Sequence, residues 1–191
     1  YPYSLFHKEV TAIHFDEQGN MWLGYEAGLM EQHTFDPLGR NSFQLTSKSQ
    51  SGAPGSIMAI FEDSKNRVWV GGWDCGLQRV TPNGKSVEYA PVKPEELARE
   101  IAVADIRGFA EDNRGNLWIV FHGIGLGRYN PDSHQLKMFR PNPDSPLTTL
   151  SNEYPFDICL DNSNNLWVAT AHGITKLSLP GEHITTYFAE D

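Results

Sequence analysis

Six side chains in this sequence are of types that could hold a polar ligand: Glu26, Trp73, Asp74, Arg107, His122 and His172. An indole offers a flat face on which a sugar ring stacks, and carboxylates accept hydroxyl protons. His122, His172 and Glu26 also allow a metal or acid–base reading, which requires that the ligands converge. Five of the six fall in four short stretches: Tyr25-Glu26-Ala27, Gly72-Trp73-Asp74-Cys75, Phe121-His122-Gly123-Ile124 and Thr170-Ala171-His172. Whether they meet depends on the elements that carry those stretches.

The stretches recur because the chain does. Four segments run from an Asp to a Trp six positions on: Asp16 to Trp22, Asp63 to Trp69, Asp112 to Trp118 and Asp161 to Trp167. A Gly followed by Leu or Ile comes next each time, at Gly28, Gly76, Gly125 and Gly173. The Trp-to-Trp steps are 47, 49 and 49 residues, and a fixed period in this range marks a repeat architecture. Each copy resolves into four short β runs. In the first copy these are residues 10–15, 21–25, 28–32 and 42–45. The first strands of the other copies fall at 57–62, 106–111 and 156–160, and the fourth strands near 86–89, 135–139 and 183–188. Four antiparallel strands joined by tight turns make a propeller blade. The expected fold is all-β, with four consecutive four-stranded blades over about residues 7–45, 55–90, 103–140 and 153–189.

The Asp segment reads as hairpin turn chemistry, because an Asp side chain bonds nearby amides and Gly or Asn accepts a positive φ. It lacks the ladder of acids and the distal Glu of an EF-hand loop, so no metal is expected there. Trp22, Trp69, Trp118 and Trp167 are expected to wedge between neighbouring blades. Such a ring buries roughly 150–250 Å², about 4–6 kcal/mol gross at ~25 cal/mol per Å². The position four before each Asp is short, at Ala12, Ala59, Gly108 and Asp157, as suits a crowded strand nearest the axis.

Composition narrows the function classes. The chain is 39% hydrophobic and carries a formal charge of −9 with no run of Lys and Arg, which disfavours nucleic acid. No stretch approaches the roughly 20 apolar residues of a membrane span, so no membrane contact by this segment is expected. Cys75 and Cys159 fall in non-adjacent repeats and are not expected to pair. Three connectors differ: residues 46–56 read as a flexible polar loop, 94–102 as a short helix with Leu97 and Ile101 on one face, and 140–152 as an ordered Pro- and Asn-rich turn. Residues 3–6 read as a spare outer strand of a preceding blade, which makes the chain a segment of a larger propeller. Two blade faces would then be open, and self-association through them is expected, two half-rings making eight blades.

The motif Asp16…Gly19-Asn20…Trp22-Leu23-Gly24…Gly28-Leu29 resembles the two-component regulator propeller repeat of bacterial hybrid histidine kinases. Phe109-Ala110-Glu111-Asp112-Asn113-Arg114-Gly115-Asn116-Leu117-Trp118 matches it closely, as does the connector Pro143-Asp144-Ser145-Pro146-Leu147 with Leu150-Ser151-Asn152. The chain departs from the pattern at Val120-Phe121-His122 and Ala169-Thr170-Ala171-His172, where Gly-Thr is usual, and at Asn164-Asn165 in place of Gly-Asn. The resemblance implies a periplasmic ligand-sensing segment, non-catalytic and without a cofactor, with an oligosaccharide or other small molecule as ligand. A kinase or diguanylate cyclase output would lie elsewhere in the parent. Two other classes fit the same blades: a protein-interaction scaffold, and a metal-dependent enzyme similar to streptogramin lyases, which use a His/Glu pair with magnesium.

Overall fold

The repeat folds into four separate four-stranded antiparallel sheets, each a simple meander. The computed structural model describes residues 9–26, 30–34, 42–47, 55–82 and 86–188. Blade 1 holds β1 (Val10–Phe15), β2 (Met21–Tyr25), β3 (Met30–Thr34) and β4 (Ser42–Ser47). Blade 2 holds β5 (Ile57–Glu62), β6 (Val68–Gly72), β7 (Gln78–Val80) and β8 (Val87–Tyr89). Blade 3 follows a one-and-a-half-turn helix, α1 (Glu95–Glu100), with β9 (Asp105–Glu111), β10 (Leu117–His122), β11 (Gly125–Tyr129) and β12 (Leu136–Phe139). Blade 4 holds β13 (Pro155–Leu160), β14 (Asn165–Thr170), β15 (Gly173–Ser178) and β16 (His183–Tyr187). The first strands β1, β5, β9 and β13 lie side by side from blade to blade, so they form the inner wall.

The strands begin and end within a residue or two of the sequence expectation. One connector is shorter than expected, because β4 continues through Ser47. Residues 48–54 of that connector, the spare strand at 3–6, the start of blade 1 at residue 7 and the first two residues of the expected strand at 28–32 lie outside the described residues. Leu97 of helix α1 and the buried Ile101 that follows the helix pack onto the core that blades 2 and 3 share. The connector over 140–152 is ordered: Thr149 bonds the backbone of Asn142 and Ser145, and Leu150 is buried against blade 4.

The Asp–Trp spacing has one geometric cause, repeated four times. One carboxylate oxygen, Oδ1, accepts the backbone N–H groups two and four residues on, as Asp63 does from Lys65 and Arg67, both at 3.0 Å. The other oxygen, Oδ2, accepts the indole N–H of the Trp six residues on. Those distances are 3.0, 2.8, 3.0 and 2.9 Å for Asp16–Trp22, Asp63–Trp69, Asp112–Trp118 and Asp161–Trp167. The third residue after each Asp has positive φ: Gly19 at 81°, Asn66 at 58°, Gly115 at 75° and Asn164 at 60°. Gly and Asn are the residues that reach this region at least cost, so the Asn-for-Gly departures preserve the turn.

The indole so fixed faces the following blade. Trp22 lies in a buried cluster with Ile57, Val68 and Val70 of blade 2. Trp69 lies with Ile106, Phe109 and Ile119 of blade 3, its ring edge-on to Tyr129 at 5.6 Å. Trp118 lies with Ile158, Leu166 and Val168 of blade 4. Trp167 departs from the expectation that all four rings are wedged. It is only partly buried, stacked on Tyr187 at 6.2 Å with Lys176 over its face, because no described blade follows it. Ile174 and Tyr187 are exposed on that face, and Ile13 and Phe15 on the opposite, outward face of blade 1.

Two further devices join blades. Isoleucines dock where glycine leaves room: a Cβ added at Gly24 would lie 2.6 Å from Cγ2 of Ile57, and one at Gly71 would lie 2.5 Å from Cγ2 of Ile106. Glutamates latch the turns: Glu62 accepts the N–H of Glu17 at 2.7 Å, and Glu111 accepts that of Ser64 at 2.6 Å. Blade 4 has Leu160 at the latch position, and there Glu182 binds Arg128 and Lys137 of blade 3 instead.

The indole geometry sets two expectations. Trp118→Ala should destabilise by about 3–5 kcal/mol, and Trp167→Ala by clearly less, in urea denaturation; equal losses would mean Trp167 has a covering that this geometry lacks. The indole of Trp167, then Asn165, holds the Asp161 carboxyl well below the usual carboxylate range. Its contribution to stability is therefore complete above the unfolded value near ~4 and disappears as pH falls through the folded value. The gap in denaturation midpoint between wild type and Asp161→Ala should be open at pH 7 and close only well below pH ~4.

Candidate functional site

At the end of the blades away from the Asp turns, each first strand carries a one-residue bulge. The unpaired residues are Thr11, Met58, Arg107 and Phe156. Bulges re-aim a side chain out of the ladder. Here two of them reach back over the preceding blade. The guanidinium of Arg107, from blade 3, sits 5.2 Å from the centre of the Trp73 ring in the β6–β7 loop of blade 2. Phe156, from blade 4, lies 5.4 Å from His122 of blade 3, and Tyr154 packs edge-on to the same imidazole at 5.3 Å. The repeat thus builds the same contact twice, one blade apart.

The loops and blade connectors share this end. The Trp73 N–H donates to the Ser56 carbonyl at 2.9 Å, and the Ala171 N–H to the Tyr154 carbonyl at 3.1 Å. Trp73 is 48% exposed, Tyr154 42% and Phe156 51%, so three aromatic surfaces face solvent along the rim. Beside them the N–H of Asp74 donates to the Asp105 carboxylate at 3.0 Å, and Asp105 lies opposite His122 in the β9–β10 ladder. Nε of Arg107 is buried with no hydrogen-bond partner. His122 Nδ1 lies 3.2 Å from the Pro155 carbonyl, so it donates there and leaves Nε2 as the free ring nitrogen.

Of the six residues singled out from sequence, Trp73, Asp74, Arg107 and His122 gather along blades 2 and 3. Arg107 stands on a strand rather than in a loop, and His122 is the last residue of β10. His172 is exposed in the β14–β15 loop, with Nδ1 3.0 Å from the Asn152 amide. Glu26 is exposed beyond β2, two blades from His122, and Ala27 to Leu29 after it lie outside the described residues. Among the described residues no group of three His, Cys, Asp or Glu side chains could hold a metal ion. The structure therefore does not bring His122, His172 and Glu26 together.

Sequence reasoning missed Asp105, Tyr154 and Phe156. Tyr154-Pro155-Phe156 places two rings just before the short position of a first strand. An outward aromatic there has no partner within its own sheet, and that was the available signal.

Cys75 ends the Trp73 loop and is buried, with its Sγ 3.7 Å from the Ser56 carbonyl. Burial pushes its thiol up to about 11, and Asp74 and Asp105 add to the shift. Cys159 is exposed on the open face of blade 4, and both cysteines are free. A disulfide-exchange thiol reagent at pH 8 should label Cys159 rapidly in the folded chain and Cys75 only on unfolding. Two fast thiols would show that the Trp73 loop opens.

The chain is similar to known proteins in three segments of sequence and in fold. The two component regulator propeller model matches residues 4–27, 51–74 and 149–172. No curated protein sequence matches the chain. Among solved structures, the extracellular domain of a hybrid two component system from B. thetaiotaomicron is similar, with 24% identity and a TM-score of 0.68 over 100% of this chain and 23% of that one. Virginiamycin B lyase from Staphylococcus aureus is similar at 19% identity and a TM-score of 0.66, over 93% of this chain and 54% of the lyase. A streptogramin B lyase gives 19% and 0.68, over 100% and 58%. The chain thus spans about a quarter of the sensor domain and little more than half of each lyase, and at these identities the likeness is one of fold. Four meander sheets are ranked along a common inner wall, and in three of them the turn-to-Trp unit falls in a segment that matches the two component regulator propeller model, so this chain is a stretch of β-propeller similar to that repeat.

Proposed function

We propose that this chain is the ligand-sensing propeller segment of a bacterial two-component sensor, working on the periplasmic side of the inner membrane and without a catalytic step of its own. The observation that carries the reading is the rim. Bulge residues of one blade meet loop residues of the blade before it and leave Trp73, Tyr154 and Phe156 open to solvent. The matched repeat, and the similar fold of a sensor's extracellular domain, support it.

The ligand class follows from the side chains. Exposed rings accept the apolar faces of sugars, while Asp74, Asp105 and Arg107 supply hydrogen-bond partners for hydroxyl groups. An oligosaccharide that lay across Trp73 and Phe156 would touch blades 2, 3 and 4 at once. Its binding would favour one set of blade-to-blade angles over another, and that differential affinity is what a sensor transmits. Among the described residues no helix is long and apolar enough to cross a membrane; the span and the kinase or diguanylate cyclase output belong to the parent in this proposal.

A second reading is a protein-interaction scaffold. The exposed Ile13 and Phe15 at one end and Ile174 and Tyr187 at the other favour it, since apolar blade faces invite self-association or another protein.

The two readings separate in one experiment. A panel of neutral and acidic oligosaccharides is screened by thermal shift and by Trp73 fluorescence. The sensor reading expects a midpoint rise of several degrees with at least one glycan, because a ligand that binds only the native state stabilises it. Trp73→Ala and Arg107→Ala should then weaken that glycan about tenfold or more, a loss of ~1.4 kcal/mol, with the unliganded midpoint little changed. Silence across the panel, with concentration-dependent dimerisation in sedimentation, would give the scaffold reading instead.

A further inference from the structure

We propose that the cleft between blades 3 and 4, at the Asp-turn end, is an oxyanion-binding site. It is separate from the rim and stands whether or not the rim binds sugars. The cleft measures about 300 Å³, the size at which ligand clefts of roughly 300–1,000 Å³ begin.

Charge in the cleft is unbalanced. Arg114, Arg128 and Lys137 line the cleft, and Glu182 is the single acid among its lining residues. Glu182 binds both Arg128 and Lys137. Arg114 forms no ion pair among the described residues, so the cleft keeps a surplus of two positive charges. The equivalent place between blades 2 and 3 shows what balance looks like. There Arg67 pairs with Asp63 and Asp132, Lys65 with Asp132, and Arg79 with Glu88. In a chain of formal charge −9, a cleft whose one acid faces three cations is a local inversion of the protein's own field.

Geometry narrows the ligand. Arg128 lies over the Trp118 ring at 5.7 Å and is held from the other side by Glu182. Arg114 stands on the tight turn of Asp112, whose Oδ1 accepts its backbone N–H at 2.9 Å. Gln135 adds a side-chain amide at the wall. Planar guanidinium forks match the paired oxygens of carboxylate, sulfate or phosphate, whereas chloride offers no such match. The shared chemistry is an oxyanion, and it can arrive free or attached to a sugar as a sulfate ester or uronic acid.

Calorimetric titration of the 191-residue chain at constant ionic strength tests this. The probes are sodium sulfate, inorganic phosphate, a monosaccharide 6-sulfate and a methyl glucuronide, with sodium chloride as the control. Saturable binding of an oxyanion over chloride is expected. Arg114→Gln combined with Lys137→Gln should weaken it about tenfold or more, and Glu182→Gln should tighten it severalfold by removing the competing acid. The Glu182 gain is a readout that loss of fold cannot mimic, and each single Gln variant can be read if the double variant unfolds. Free sulfate binding as tightly as its ester would assign a free anion, and a tighter ester would assign a sugar-borne one; both support the site. No saturable binding at tens of millimolar, or full binding by the Gln variants, would overturn it.

Discussion

The carboxylate of the turn Asp is the constraint on which each blade depends. A tight β1–β2-type turn leaves backbone amides pointing inward, and an indole in the second strand brings an N–H that burial would orphan. Leaving such groups unsatisfied costs about 1–3 kcal/mol each. One Asp answers both, Oδ1 taking the amides and Oδ2 the indole, as at Asp112, where three such bonds lie between 2.9 and 3.0 Å. The Asp therefore couples the shape of a hairpin to the position of a ring six residues away. Because that ring is the surface on which the next blade packs, a local turn sets a long-range interface.

The interfaces then differ by what surrounds the ring. Between blades 1 and 2 and between blades 2 and 3, a Glu one residue before the next Asp latches onto the preceding turn. Between blades 3 and 4 that position is Leu160, and an acid from a different turn, Glu182, bonds Arg128 and Lys137. Asp132 does the same for the preceding pair of blades, against Lys65 and Arg67. Blades 2 and 3 thus present cations near their Trp, and the following blade brings an acid in its last hairpin. Lys176 over Trp167 is the third instance of the cation among the described residues. With its ring half-covered, it displays the surface that neighbours conceal elsewhere.

The architecture was legible because its signals are local and repeated. The Asp-to-Trp step, the Gly or Asn of positive φ and the short position in each first strand are visible in the letters, and the strands lie where those letters put them. The bond that ties these signals together was not visible. Nothing in the spacing says that the indole N–H, rather than only the turn amides, ends on the Asp. The candidate site was legible by half. Trp73 and His122 stand out because they break the repeat, and Arg107 does reach the rim. That Arg107 meets Trp73 depends on a bulge that shifts register by one residue between Val120 and Phe121, and residue types alone cannot show it. His172 and Glu26 share the loop position but not the neighbourhood, because equivalence in a repeat places residues on successive blades and not beside one another.

This separation explains where function can reside in such a fold. The strand faces are committed to neighbouring blades, as Gly71 shows by admitting Ile106 where any side chain would collide. The Asp-turn end is committed to carboxylate bonds, except where the charges fail to cancel. The opposite end is bound by neither constraint. A bulge residue has left the ladder, and its side chain contributes to no blade core, so Thr, Met, Arg and Phe occupy the equivalent positions 11, 58, 107 and 156. Residues that a repeat leaves free to differ are those that can distinguish one ligand from another. Here the two that reach the preceding blade also join the blades to one another, so a ligand on them, as proposed, would act on the interface itself.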